Sequence, residues 1–142
     1  MRYLLLLAVF FCNTPGKGQS IIIPASDFLE ELPKGNILTT AEAQQTGWLF
    51  NNTGIVLNSE TNMMTRVSIP EDGEYHLFVR SSGGKGSSFR VSVNDKVTAE
   101  SFGDTTLSWR NGGKFTLKKG EAAVKITRID PGGEFDVLVL RK

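Results

Sequence analysis

Six short runs between Gly73 and Leu140 constrain the fold of this chain more than any other feature of its sequence. Each run is rich in β-branched and aromatic residues, and turns that contain glycine, asparagine or aspartate separate neighbouring runs. The runs are Gly73–Arg80, Ser87–Asn94, Asp95–Phe102, Leu107–Leu117, Ala122–Ile129 and Glu134–Leu140. The segments between them are too short for helices. The sequence therefore predicts an all-β domain built as an antiparallel β-sandwich.

Alternation of apolar and polar residues assigns the faces of these strands. Phe89, Val91 and Val93 alternate with polar residues, so one side of that strand is expected to face the core. Asn94 and Asp95 predict a tight hairpin turn into the next run. From Phe135 to Leu140 the last run is apolar on both sides except at Asp136, which is typical of a strand covered on both faces.

The segment before Gly73 is less regular. It predicts a strand at Ile21–Ile23, one or two helical turns over Ser26–Leu32, and short strands at Gly47–Phe50, Ile55–Leu57 and Met63–Ile69. At 142 residues the chain holds one domain of ordinary size, which we assign to residues 20–142.

The first 19 residues are typical of a secretory signal peptide. Arg2 precedes the apolar block Leu4–Phe11, and the polar segment Asn13–Ser20 follows it. The block is far shorter than the roughly 20 residues that a membrane-spanning helix needs. We therefore expect a secreted or periplasmic protein with no transmembrane segment in the mature chain. Two alternatives remain open: an uncleaved N-terminal anchor and a lipid anchor on Cys12, although the bulky Phe11 argues against the second.

Cysteine content and charge exclude several classes of function. Loss of the signal peptide removes Cys12, the only cysteine, which excludes a disulfide framework, a cysteine nucleophile and a thiolate metal site. It also removes Arg2 and Lys17, so the 16 basic residues fall to 14 against 15 acidic ones. Because nucleic-acid binders carry a basic excess, we expect no nucleic-acid partner.

The titratable residues do not favour catalysis, and we predict that the protein is not an enzyme. The only histidine, His76, lies mid-strand, where a place on the second face of the sheet explains it. Asp136 has apolar neighbours and therefore needs a partner, which is a cation or a backbone amide, with Arg80 and Arg128 as the candidate cations. The glycine-rich segment Ser82–Ser88 precedes a strand rather than a helix, so it is predicted to be a hairpin loop and not a phosphate cradle.

Several pieces of the sequence follow one another in the order of a known family. They are Gly73-Glu74-Tyr75, Val79-Arg80, Phe89-Arg90-Val91, Val93-Asn94-Asp95, Phe102-Gly103, Trp109, Gly112-Gly113, Leu117, Gly120 and Phe135-Asp136. Over residues 47–140 the chain resembles the galactose-binding-like β-sandwich modules related to carbohydrate-binding modules. Such modules are attached to secreted bacterial FAD-dependent oxidoreductases, polysaccharide lyases and other glycan-degrading proteins. The resemblance implies a jelly-roll fold and glycan binding.

The resemblance also raises the question of a structural calcium ion. Many relatives bind it with a glutamate of the opening strand and an aspartate near the last strand. Asp136 matches the aspartate, whereas the opening Ile22–Asp27 contains no glutamate. Calcium takes about six to eight oxygen ligands, so a calcium site at Asp136 stays open, and no other cofactor is expected.

Sugar recognition requires an aromatic face for stacking and planar polar groups that reach several hydroxyls. The aromatic candidates are Trp48, Trp109 and Tyr75. The predicted ligand-binding residues are Trp48, Asn51, Asn52, Arg80, Trp109 and Arg110. For Trp109 a packing role, in the core or half-buried, competes with this assignment and is favoured by its neighbours.

We therefore predict a secreted, non-catalytic carbohydrate-binding module whose partner is a polysaccharide or another glycan. Two alternatives remain open. The chain could be a structural or docking domain that packs against a catalytic subunit of a larger extracellular assembly, or a truncated remnant of a polysaccharide lyase or oxidoreductase. The binding surface is expected in the less regular loops before Gly73.

Overall fold

The computed structural model describes residues 19–31, 37–38, 50–58 and 62–142, and most of these residues lie in strands. The ten strands are β1 (Ser20–Pro24), β2 (Ile37–Leu38), β3 (Gly54–Leu57), β4 (Asn62–Ile69), β5 (Gly73–Ser82), β6 (Ser88–Val93), β7 (Lys96–Val97), β8 (Ser108–Leu117), β9 (Gly120–Asp130) and β10 (Gly133–Arg141). A 3₁₀ helix at Ala25–Glu31 matches the helical turns expected after β1, and a second spans Phe50–Asn52. The predicted signal peptide and the proposed strand residues 47–49 lie outside the described residues. Within them, no helix has the length and apolar character that crossing a membrane requires.

The strands form two sheets. The front sheet has the order β2-β3-β10-β5-β8, and β1 also pairs with β10. The back sheet has the order β4-β9-β6-β7. Every pairing is antiparallel. The predicted antiparallel β-sandwich is therefore confirmed.

Strand β10 is the centre of the front sheet. Its first residues pair with β3 and its later residues with β1, while β5 pairs along its other edge. Its side chains are buried apart from Val139, which is partly exposed, and Arg141 at its end. The prediction of a final strand covered on both faces is thus confirmed along most of its length.

The core between the sheets contains a cluster of phenylalanine rings. Phe135 of β10 contacts Phe28 and Phe89, with ring centroids 5.4 and 5.9 Å apart, and Phe89 also contacts Phe102. Tyr75 is fully buried as well, and its hydroxyl donates a hydrogen bond of 2.8 Å to the backbone carbonyl four residues earlier. The expectation that Tyr75 is an exposed aromatic candidate for sugar stacking is therefore wrong.

The hairpin from β6 to β7 has the predicted turn. Asn94 and Asp95 both adopt left-handed φ values, 48° and 68°, as a two-residue type I′ turn requires. The predicted strand Asp95–Phe102 is regular only over the two residues of β7, and farther along Phe102 pairs with Phe89 of β6 as an isolated bridge. The N–H of Val91 binds the side-chain hydroxyl of Thr98 instead of a backbone carbonyl, so the regular ladder ends there.

The glycine-rich segment Ser82–Ser88 crosses from one sheet to the other. It joins β5 of the front sheet to β6 of the back sheet, so the expected hairpin at this place is wrong. Gly83 passes close to the chain at Gly103: a β-carbon on Gly83 would lie 1.8 Å from the carbonyl oxygen of Gly103. Only glycine permits this approach of two backbones.

Candidate functional site

A β-bulge in β8 shapes the outward side of the front sheet, which we call the front face. Gly113 pairs with Leu77 and Asn111 pairs with Phe78, so Gly112 is left as the extra residue between them. A bulge of one residue moves the side chains on its far side to the opposite face of the sheet. In the first half of β8, the odd-numbered residues therefore point to the opposite face of the sheet from the odd-numbered residues of the second half.

Trp109 points outward because of this bulge. Phe115, later in the same strand, is buried in the core, and uninterrupted alternation would place Trp109 on the same side. Instead Trp109 is 51% exposed and pairs with Arg80 across the front sheet. A place in the core is therefore wrong for Trp109, whereas the half-buried position that was the other packing alternative agrees with its exposure.

Trp109 lines a shallow groove of about 280 Å³ on the front face, together with Ser20, Phe78, Val139 and Arg141. Phe78 and Val139 lie opposite each other in neighbouring strands, so the middle of the groove is apolar. Sequence reasoning misses these two residues as well as Arg141. The available signal is that Phe78 and Val139 occupy outward positions in their strands, where a solvent-exposed sheet usually carries polar residues.

A second bulge, in β10, leaves Asp136 as the extra residue opposite β5. Asp136 is fully buried, and its Oδ2 accepts hydrogen bonds from the Phe50 backbone N–H and from the Arg80 guanidinium, both at 2.8 Å. The expected pairing with an arginine is thus confirmed for Arg80, whereas Arg128 donates to a backbone carbonyl at 3.0 Å. Burial raises the pKa of Asp136 above its ordinary value, because lost hydration outweighs the Phe50 N–H and Arg80.

Asp136 joins a loop to the front face. Its hydrogen bond from the first residue of the 3₁₀ helix Phe50–Asn52 ties that helix to β10. Asn51 in this helix is exposed and has a left-handed φ of 51°. Arg80 binds the same carboxylate oxygen and pairs with Trp109. The structure therefore brings three of the predicted ligand residues, Asn51, Arg80 and Trp109, to one region.

Arg110 is separated from Trp109, because the two residues occupy opposite faces of β8. Arg110 pairs with the core residue Val79 and donates a hydrogen bond of 3.3 Å to a backbone carbonyl of the preceding loop. Trp48 and the side chain of Asn52 lie outside the described parts of the chain. The ligand-binding role of the predicted residues stays a prediction.

The calcium site considered at Asp136 stays a prediction, and the described residues give it little support. Its Oδ2 is occupied by a cationic side chain and a backbone N–H. The described residues contain no group of three histidine, cysteine, aspartate or glutamate side chains that could hold a metal ion. Calcium requires several more oxygen ligands than Asp136 supplies. We therefore assign Asp136 to the ion pair with Arg80 and derive no role for calcium.

A second cleft, the end cleft, lies where loops join the two sheets at one end of the sandwich. Its volume is about 360 Å³, and its polar lining residues are Ser82, Thr105, Thr106 and Glu134. Glu134 is buried and accepts a hydrogen bond from the Ser82 hydroxyl. The residues that line the end cleft include no aromatic side chain, so it offers no stacking surface.

Comparison with known proteins gives matches only among solved structures, since no protein-family model and no curated protein matches the chain. The chain is similar to the GH26-CBM35 β-(1,4)-mannanase of Podospora anserina, with 15% sequence identity and a TM-score of 0.67, over 85% of this chain and 27% of the mannanase. It is also similar to the C-terminal CBM6 of LamC, a marine laminarinase from Zobellia galactanivorans. That match has 12% identity and a TM-score of 0.61, over 87% of this chain and 100% of the module.

A third similar structure is the carbohydrate-binding module CBM6cm-2 of Cellvibrio mixtus lichenase 5A, solved in complex with cellotriose. The identity is 17% and the TM-score 0.60, over 86% of this chain and 96% of the module. The fold is that of these carbohydrate-binding modules. The predicted resemblance is thereby confirmed at the level of the fold, and the chain spans about a quarter of the mannanase. The expected setting beside a flavin-dependent oxidoreductase or a polysaccharide lyase stays a prediction.

Proposed function

We propose that this chain is a non-catalytic carbohydrate-binding module that holds a polysaccharide in the groove of its front face. One observation carries the proposal: Trp109, turned outward by the bulge in β8, is half exposed and lines a groove with Phe78 and Val139. The fold shared with whole carbohydrate-binding modules supports the same function.

The groove offers both kinds of contact that sugars use. The C–H face of a pyranose ring stacks on an aromatic side chain, and Trp109 presents a large exposed indole for this purpose. Asn111 is exposed beside it, opposite Phe78 in the neighbouring strand. Its Oδ1 accepts the Gly113 N–H at 2.7 Å, which fixes an amide group next to the groove for hydrogen bonds with hydroxyls.

The titratable residues near the groove support binding without catalysis. General acid–base chemistry and glycoside hydrolysis use a titratable group positioned with a second one across the reacting bond. Asp136 is buried and engaged by Arg80. His76 lies in β5 as the predicted strand histidine, and its cross-strand neighbours are the cationic residues Arg141 and Lys114 rather than carboxylates.

Affinity electrophoresis against a panel of polysaccharides tests the proposal. We expect at least one polysaccharide to retard the wild-type protein. Trp109→Ala should weaken that retardation about tenfold or more, because a buried aromatic contact of roughly 1.5–3 kcal/mol is lost. Arg90→Ala, on the exposed side of the back sheet, is the matched control and should leave retardation unchanged. Circular dichroism verifies that each variant is folded.

Two other results would change the assignment. If Thr106→Arg, which places a large side chain in the end cleft, abolished retardation while Trp109→Ala kept it, the ligand would bind in the end cleft. If no polysaccharide retarded the protein and a catalytic subunit co-purified with it, the docking alternative would replace carbohydrate binding.

We also propose that the protein acts outside the cytoplasm after removal of residues 1–19. The apolar block behind Arg2 and the small polar residues after it support export through a signal peptide. Mass spectrometry of the exported protein should give a chain that begins at Ser20. A chain that begins at Cys12 with an attached lipid would show the anchored form instead.

A further inference from the structure

Arg141 stands at one end of the front-face groove and has no acidic partner among the described residues. It is exposed at the end of β10 and lines the groove together with Trp109. Its cross-strand neighbours are Ser20 in β1 and His76 in β5. Neither residue directly opposite Arg141 in the sheet is therefore a carboxylate.

The acidic side chains at this end of the sandwich have other cations as partners. These ion pairs are Glu71–Lys142 at 2.9 Å, Asp72–Lys118 at 3.5 Å and Glu74–Lys114 at 3.4 Å. Each of these carboxylates has its own lysine, so none is needed to balance Arg141. The end of the groove thus carries a positive charge that is available to a ligand.

We propose that the groove recognises an acidic polysaccharide, with Arg141 binding a carboxylate of the glycan and Trp109 stacking on one of its rings. This inference rests on the proposed function and names the class of glycan. A guanidinium binds a carboxylate through two parallel hydrogen bonds, which favours uronate units over neutral sugars. His76 lies directly opposite Arg141 in the neighbouring strand β5.

The spacing of the two contacts fits a chain of sugars. Val137 and Trp109 flank Arg80 in the same cross-strand row. Along β10, Val137 lies four residues before Arg141, which is about 13 Å at the rise of an extended strand. That span exceeds a single pyranose ring. The two backbone positions are therefore far enough apart for the stacked ring and the bound carboxylate to belong to different units of one polysaccharide.

The test compares acidic polysaccharides with neutral forms of the same backbones. The probes are polygalacturonate, alginate and glucuronoxylan, each alongside its carboxyl-reduced form. We expect the wild-type protein to bind at least one acidic form about tenfold more tightly than its neutral form at low salt, as a charge-assisted hydrogen-bonded pair provides. Because Arg141 is exposed, this preference should shrink as ionic strength rises.

Substitutions of Arg141 assign the preference to this residue. Arg141→Gln should make the affinities for the acidic and the neutral form equal, because it removes the charge that distinguishes them. Arg141→Lys should keep part of the preference, since it retains the charge without the planar fork. Arg90→Gln, exposed on the back sheet, is the matched control and should change neither affinity.

The outcomes separate this inference from the proposed function. Equal binding of acidic and neutral forms, or an undiminished preference in Arg141→Gln, would overturn the assignment to acidic polysaccharides while polysaccharide binding itself stands. Failure of every acidic probe, together with retardation by a neutral polysaccharide of the electrophoresis panel, would overturn this inference and leave the proposed function standing. Failure of the whole panel would overturn both.

Discussion

Replacing Arg80 by alanine should destabilise the protein by about 3 kcal/mol near neutral pH, because the change leaves Asp136 as a buried charge without its cation. Asp136 is fully buried, and in the variant its Oδ2 would keep only the Phe50 N–H. Removing one partner of a buried ion pair costs roughly 3–5 kcal/mol. We take the lower value because 17% of the Arg80 side chain is exposed, so water reaches part of the pair.

Urea unfolding followed by circular dichroism measures this loss. With a denaturant dependence of about 1.5 kcal/mol per M, the midpoint should fall by about 2 M. Asp136→Asn is the comparison, because asparagine keeps an acceptor for the Phe50 N–H and carries no charge. The double variant Arg80→Ala/Asp136→Asn should be about 1–2 kcal/mol more stable than Arg80→Ala alone, since it buries no unpaired carboxylate.

The raised pKa of Asp136 gives the sign of the pH dependence. The folded state holds this proton more tightly than the unfolded chain, whose carboxyl has a pKa of 3.8, so the stability from this group falls as pH rises from 3.8 through the raised value. Arg80 lowers that pKa, so removing Arg80 raises the pKa further. The pH range over which stability falls then extends to higher pH. The deficit of Arg80→Ala should therefore shrink between about pH 7 and about pH 4. The reasoning would be refuted if Arg80→Ala lowered the free energy of unfolding by less than about 1 kcal/mol near neutral pH, or by the same amount at both pH values.

Three further changes in stability follow from single contacts. Gly83→Ala should cost about 1–3 kcal/mol because its β-carbon would overlap the carbonyl of Gly103, whereas Gly84→Ala meets no close neighbour and should be nearly neutral; equal melting temperatures for the two variants would contradict the close approach. Asp95→Gly should stabilise the hairpin by about 0.5 kcal/mol, since glycine adopts the left-handed φ of 68° without steric cost; a lowered urea midpoint would argue against this. Tyr75→Phe should cost about 1 kcal/mol, because it leaves a backbone carbonyl without its buried hydroxyl donor, and the same urea titration measures it.

The strands are predictable from sequence because alternation and turn residues are local signals. Asn94 and Asp95 predict their hairpin since few other residues adopt left-handed φ in a two-residue turn. The partner sheet of each strand is not local information. The segment Ser82–Ser88 suggests a hairpin because consecutive strands usually neighbour each other, yet it crosses between the sheets. The close approach of Gly83 to Gly103 that accompanies this crossing involves residues far apart in sequence.

The ion pair of the candidate site is also predictable, but its consequence is not. A carboxylate among apolar neighbours requires a cation or a hydrogen-bond donor, and this requirement points from Asp136 to Arg80. Nothing in the sequence indicates that the same carboxylate oxygen also accepts the Phe50 N–H. That second bond holds the backbone next to Asn51 at Asp136, so the less regular part of the chain joins the site through a residue of the last strand.

The groove itself depends on the bulge in β8, and strict alternation along that strand gives the wrong face for its key residue. The adjacent glycines Gly112 and Gly113 are the sequence signal for the irregularity, since paired glycines inside a strand mark a bulge and Gly113 adopts a left-handed φ of 95°. Counting alternation separately on each side of this pair places Trp109 outward and Arg110 inward, as in the structure. The residue that best supports sugar binding is thus exposed by one inserted backbone residue, and a regular β8 would bury the same tryptophan in the core.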